Sequence, residues 1–153
     1  MTLTLSPKKV SLSLLEEIWR QDKNVKIDPS FKDKVNNSAN IVKKAISGSK
    51  PVYGINTGFG KLSSVMVSDE ETEALQRNLI LSHCCGVGDY LDISTTRLMM
   101  VLKLLSLARG ASGVRWTTLE HIEKMLVNNI IPIIPDQGSV GASGDLAPLA
   151  HMS

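Results

Sequence analysis

The run Gly138 to Pro148, GSVGASGDLAP, is the most chemically suggestive part of the sequence. Small residues let backbone segments approach closely and adopt dihedrals closed to bulkier side chains. Three readings compete. The plainest is a tight surface loop, the ordinary fate of a Gly/Ser-rich stretch. A phosphate-cradling loop fits less well, because the run lacks the Gly-Lys-Ser/Thr ending of a P-loop and the GxGxxG of a dinucleotide fold. The third reading is chemical. In Ala142-Ser143-Gly144 the Gly144 amide nitrogen can attack the Ala142 carbonyl carbon, since glycine has no side chain to obstruct the approach. Loss of water closes a five-membered ring. Elimination of the Ser143 hydroxyl then leaves an exocyclic methylidene conjugated with an imidazolone. That product is a carbon electrophile, which no standard side chain supplies. Spacing alone does not choose among the three.

Composition narrows the setting. The chain has 153 residues, 42% hydrophobic and 21% charged, which is globular composition and argues against disorder or a coiled coil. A net charge of +2 is too small to suggest a nucleic-acid or anionic-membrane partner, and 4% aromatics argues against a base-stacking surface. The two cysteines, Cys84 and Cys85, are neighbours and cannot form a disulfide scaffold; nothing in their context suggests zinc, so no metal is expected. They are read as buried small hydrophobes in a reducing compartment. The N-terminus has no apolar core or cleavage site of a leader, and the most apolar stretch, Leu98 to Leu107, is short and interrupted by Lys103. The expectation is a soluble, cytoplasmic protein.

The elements that must position the candidate chemistry are mainly helical. Thr2 to Leu5 alternates and predicts a short strand. Ser13 and Glu16 have capping-box spacing before an apolar face of Leu14, Leu15, Ile18 and Trp19. Asp28 and Pro29 open a second helix whose face is Phe31, Val35, Ala39, Val42 and Ile46, ending at Gly48. Pro51 to Ser64 is non-helical. Ser68 with Glu71 opens a third helix running to about Cys84, with Gly86 and Gly88 as its stop. A fourth spans Ile93 to Ala108 and is apolar nearly all round, the pattern of a helix buried among others. A fifth starts at Thr117 with Glu120 in box position and buries Leu119, Ile122, Leu126 and Ile130. Pro132 and Pro135 then enforce extended backbone, and His121 faces solvent.

Gly138 to Met152, GSVGASGDLAPLAHM, resembles the signature of the aromatic amino acid ammonia-lyase family. Three further segments agree in order: Val52 to Gly60 (VYGINTGFG), Leu75 to Gly88 (LQRNLILSHCCGVG) and Leu104 to Arg115 (LLSLARGASGVR). Residues 1–50 carry little of the match. The resemblance implies that Ala142, Ser143 and Gly144 become 4-methylidene-imidazol-5-one (MIO), formed autocatalytically in the complete enzyme. It implies that Tyr53 is the general base for the substrate β-carbon proton, in a loop that its glycines let act as a lid. A phenol, with an ordinary pKa of ~10, needs nearby positive charge or hydrogen-bond donors for that role. Without the resemblance Tyr53 reads as a half-buried aromatic anchoring its loop. Gly60 is implied to touch substrate. Asp145 is either a cap for the helix through Leu149 or a support for ring formation. The Ser82-His83 pair resembles family members that convert L-histidine to urocanate and ammonia, with His83 contacting the imidazole. The ordinary alternative for such a histidine is stabilisation of a helix C-terminus. Tyrosine lyases and aminomutases of the family also carry His here, to receive a phenol hydroxyl. His151 belongs to the signature with no chemistry assigned.

The family implies a mainly α fold with short strands and a Gly-rich loop, a homotetramer, and active sites combining residues from several subunits. Its members are much longer. Residues 1–153 are therefore expected to be a single incomplete N-terminal domain, inactive alone, lacking the later groups that bind the substrate carboxylate and orient the MIO carbonyl. The all-round apolar fourth helix and the abrupt end at Ser153 support that expectation. In these residues alone the triplet is expected to stay unmodified, since the compressing helical core would lie beyond Ser153. A non-catalytic, self-associating segment is the competing class.

Overall fold

The chain is described by a computed structural model that covers all residues except Met1, Asp22, Ser49 and Gly141, Ala142 and Ser143. β1 (Thr2–Leu5) and β2 (Asn24–Ile27) pair in parallel, Thr2 opposite Asn24 and Leu5 opposite Ile27. Parallel neighbours need a crossover, and α1 (Leu12–Gln21) supplies it, burying Ile18. The cap of α1 differs from the Ser13–Glu16 expectation. Ser11 accepts the Leu14 amide at 3.2 Å, so Ser13 already lies inside the first turn and Glu16 instead pairs with Arg20 at 2.9 Å.

Asp28 accepts the Ser30 amide and opens a 3-10 turn, Pro29–Phe31, that leads into α2 (Lys32–Ile46). Ser68 and Glu71 meet as expected at the start of α3 (Asp69–His83): the Ser68 hydroxyl oxygen accepts the Glu71 amide at 3.3 Å, but the Glu71 carboxylate accepts the Ser68 hydroxyl at 3.1 Å rather than the Ser68 amide of a full capping box. β3 (Val87–Tyr90) follows and pairs antiparallel with β4 (Pro135–Gln137), Val87 opposite Gln137 and Tyr90 opposite Pro135. α4 (Ile93–Ala108) is capped by Asp92, whose carboxylate accepts both the hydroxyl and the amide of Thr95; these bonds hold it below the usual carboxylate range. α5 (Trp116–Val127) begins one residue before the expected Thr117, because burying the Trp116 indole extends the helix backwards; no side chain caps it. Ile130 is exposed rather than buried, lying past the end of α5. α6 (Leu146–Met152) closes the described chain. No described helix is long and apolar enough to cross a membrane.

The core is built around α4, which packs against α1, α5 and β2 and buries Met100, Val101, Leu104 and Ala108 completely. The expectation of burial on every side is only partly met, since Ile93 and Leu102 are exposed. Arg97 lies at the heart of this packing, 2% exposed. A buried guanidinium is tolerated only when its donors are met. Its Nη1 donates to the Leu126 carbonyl at 3.1 Å and the Asn129 side-chain oxygen at 3.4 Å, and its Nη2 to the Lys23 carbonyl at 3.1 Å. One side chain thus joins α4 to the end of α5 and to the turn before β2.

Glu123 of α5 accepts the Ile27 amide of β2 at 2.6 Å. Burial raises its carboxyl above the ordinary value, and Glu120 adds to the rise; the Ile27 bond and Lys26 oppose it. A raised folded pKa means that ionisation is disfavoured in the native state. Stability should therefore fall as pH climbs from the ordinary value of 4.5 through the raised folded value, then level off. Glu123→Gln keeps an oxygen acceptor and has no proton to lose. Thermal denaturation from acidic to neutral pH should show a flatter profile for the variant and a higher Tm at neutral pH. An unchanged pH profile would contradict the assignment.

Candidate functional site

The Tyr53 loop is organised by two buried polar residues that the sequence reading passed over, Asn56 and Thr57. Asn56 accepts the Val52 amide at 2.7 Å and donates to the carbonyls of Lys50 and Ala45 at 3.0 and 3.2 Å. Its own carbonyl accepts the Val67 amide. Thr57 accepts the Gly54 amide at 3.3 Å and donates to the Gly58 carbonyl at 3.1 Å. With the base of the loop pinned in this way, Tyr53 stands 63% exposed. This departs from the half-buried anchor of the plain reading, although Tyr53 does stack edge-on against Phe59, with ring centroids 5.8 Å apart. The Gly60 amide donates to the Tyr53 hydroxyl oxygen at 3.5 Å. Two of the expected site residues are thereby in contact, and one donor faces the phenol oxygen.

His83 is the last residue of α3. The helix stops there without glycine: Cys84 adopts φ −77°, ψ 59°, and the Cys85 amide returns to the His83 carbonyl at 2.8 Å, an inverse γ-turn. Cys84 and Cys85 are exposed, not buried as expected, because this turn carries them off the helix face. The His83 Nδ1 lies 2.7 Å from the Leu79 carbonyl, which can only accept, so Nδ1 carries the proton. In the neutral ring Nε2 is then an acceptor, the group needed to receive an N–H or O–H from a substrate ring. His83 lines a small apolar cavity of about 160 Å³ with Leu79, Ile80, Leu146, Leu149 and Ala150, between α3 and α6.

The Gly-rich loop leads into that same α6. Ala142 and Ser143 lie outside the described residues; Gly144 and Asp145 are described. Both have positive φ, +87° and +50°, so the chain reverses sharply as it leaves the triplet. A side chain at Gly144 would be strained by that dihedral, although the space around it is open. A left-handed glycine with open space at its Cβ position fits the MIO precursor. Asp145 holds the cap position of α6 through its carbonyl, which accepts the Leu149 amide at 3.3 Å, and its side chain makes no capping bond. The carboxylate instead accepts the Ser139 hydroxyl, joining the two stems of the loop across the triplet. Asp145 thus takes the cap position, one of its two expected roles, through its backbone rather than its side chain, and the clamp is compatible with the other.

His83, Gly144 and Asp145 therefore share the α3–α6 region, while Tyr53 and Gly60 form a separate pair. Among the described residues no hydrogen bond links Tyr53 to His83 or Asp145. Exposed apolar side chains flank the α3–α6 region, with Val140 87% and Tyr90 68% exposed.

A sequence model of the aromatic amino acid lyase family matches residues 10–153, and the chain belongs to that family. Within it, the chain is 60% identical over all 153 residues to histidine ammonia-lyase of Roseobacter denitrificans and spans 30% of that protein's length. The crystal structure of histidine ammonia-lyase from Trypanosoma cruzi superposes with a TM-score of 0.86 at 30% identity, over 99% of this chain and 29% of that one. Ergothionase from Treponema denticola, an ergothioneine-degrading enzyme, gives 0.92 at 30% identity, over 99% of this chain and 30% of that one. A tyrosine aminomutase from Streptomyces globisporus gives 0.88 at 29% identity, over 97% and 28%.

Proposed function

We propose that the full-length protein is a histidine ammonia-lyase, converting L-histidine to urocanate and ammonia in histidine degradation. The observation that carries this reading is the 60% identity to such an enzyme across the whole chain, with His83 at the end of α3. The activity belongs to the full-length protein and not to these 153 residues alone, since the chain spans 30% of that relative. We read it as the N-terminal part of one longer domain.

Ala142, Ser143 and Gly144 would form MIO, and MIO supplies the electrophilic carbon that ordinary side chains lack. The chain's other residues do the remaining work. Ser139 and Asp145 hold the stems of the loop together on either side of the triplet. His83, with Nδ1–H committed to Leu79, presents Nε2 to the N–H of the substrate imidazole. Tyr53 takes the β-carbon proton; the C–H electron pair becomes the new C=C bond, and the C–N pair leaves with ammonia. The Gly60 amide helps the phenol oxygen bear charge, and Gly60 takes the substrate contact that the family resemblance implies. The exposed apolar residues around the site suit burial against further copies, in keeping with a homotetramer whose sites draw on several subunits. A reducing cytoplasmic setting agrees with two unpaired adjacent cysteines. We assign no metal, nucleic-acid or membrane partner.

Purified full-length protein incubated with L-histidine should generate the ultraviolet absorbance of urocanate. Ser143→Ala should lose nearly all turnover, because no methylidene can form. His83→Leu should lower kcat/KM for histidine by about a hundredfold or more, as expected when a group built to bond a polar ring is removed. Wild-type turnover in Ser143→Ala would end the MIO assignment, and unchanged kcat/KM in His83→Leu would end that of His83. A clear preference of the unmutated enzyme for tyrosine would favour a tyrosine lyase or aminomutase, a substrate class also represented among the structural neighbours.

A further inference from the structure

His151 lies in the last turn of α6, downstream of the triplet. Its Nε2 accepts the Gly86 amide at 3.0 Å, across 65 positions of sequence. A methyl group added at Gly86 would sit 3.0 Å from that nitrogen, and 3.2 Å from both the His151 Cδ2 and the Pro135 Cβ. One added at Gly138 would sit 3.0 Å from the Ala147 Cβ and 3.1 Å from the Gly86 Cα. Gly86 is thus enclosed by α6, by β4 and by the stem that enters the Gly-rich loop. It is also joined to His83 by only Cys84 and Cys85, held in their tight turn. The side-chain hydrogen bond described at Gly86 is the one that His151 accepts.

We propose that His151 is a positioning residue: by accepting the Gly86 amide it fixes the end of α3, and with it His83, relative to the loop that carries the triplet. The proposal rests on the reading of His83 as the substrate-ring contact. His151 itself touches no substrate. Its Nε2 must be unprotonated to accept, so Nδ1 carries the ring proton. An acceptor at this place is what matters, and glutamine can offer an amide oxygen near the same point while leucine cannot.

The test uses the full-length protein with His151→Leu and His151→Gln. Hydrogen exchange at the Gly86 amide and steady-state kinetics with histidine are read together. Loss of one such bond should speed Gly86 exchange about tenfold and raise KM about tenfold in His151→Leu, with kcat changed less than KM. His151→Gln should restore slow exchange and bring KM within about threefold of wild type. A merely structural histidine would lower stability without this split between KM and kcat and without rescue by glutamine. Wild-type exchange and KM in His151→Leu would overturn the proposal. So would a glutamine variant as impaired as leucine. Should His151→Leu fail to fold, His151→Gln decides alone: protected Gly86 with near-wild-type KM supports the role, and loss of either refutes it. If the unmutated protein does not turn over histidine, the functional reading fails separately, and Gly86 exchange in the two variants still decides whether His151 holds the Gly86 amide.

Discussion

The site depends on how closely two backbone segments pass, at Gly86 and Gly138. A Cβ would be tight at either position: at Gly86 it would press on His151 of α6 and Pro135 of β4, and at Gly138 on Ala147 of α6 and the Gly86 Cα. Because both are glycine, the segment following His83 and the stem entering the triplet can lie side by side, and the β3–β4 pairing continues from that contact through Val87 and Gln137. The proposed specificity residue, His83, and the stem that enters the proposed electrophile precursor are far apart in sequence. They are brought together by this one close approach, not by any local motif.

The rest of the molecule is the platform for that contact. α4 supplies it, buried against α1, α5 and β2, with Arg97 meeting the carbonyls of Leu126 and Lys23. A guanidinium so placed stabilises through the backbone carbonyls its Nη groups reach, and removing it would take a donor away from both in the interior. The Tyr53 loop repeats the same device on a smaller scale. Asn56 and Thr57 are buried polar residues that spend their hydrogen bonds on neighbouring backbone, which lets Tyr53 project from a loop whose base is fixed.

Much of the secondary structure was legible because its signals are local. Asp92 before an apolar run and the Ser68–Glu71 pair mark helix starts within a few residues of sequence. The cap of α1 was not legible, because Ser11 and Ser13 both suit the role and only the packing of the helix decides between them. Burial of Cys84 and Cys85 was misjudged, since their exposure follows from a turn that helical periodicity does not encode. The role of Gly86 as a point of close approach, and of His151 as its partner, spans 65 residues and has no periodic signature. The candidate chemistry of the triplet came from the resemblance of four ordered segments; spacing alone had favoured a plain loop.

The most direct test of the account is the mass of the proteolytic peptide that carries residues 142–144 in the full-length protein. Ring closure and loss of the Ser143 hydroxyl together predict a peptide lighter than its sequence by two waters, and a Ser143→Ala peptide that lacks this double loss. A full-length, histidine-converting protein whose triplet has the unmodified mass would contradict the account.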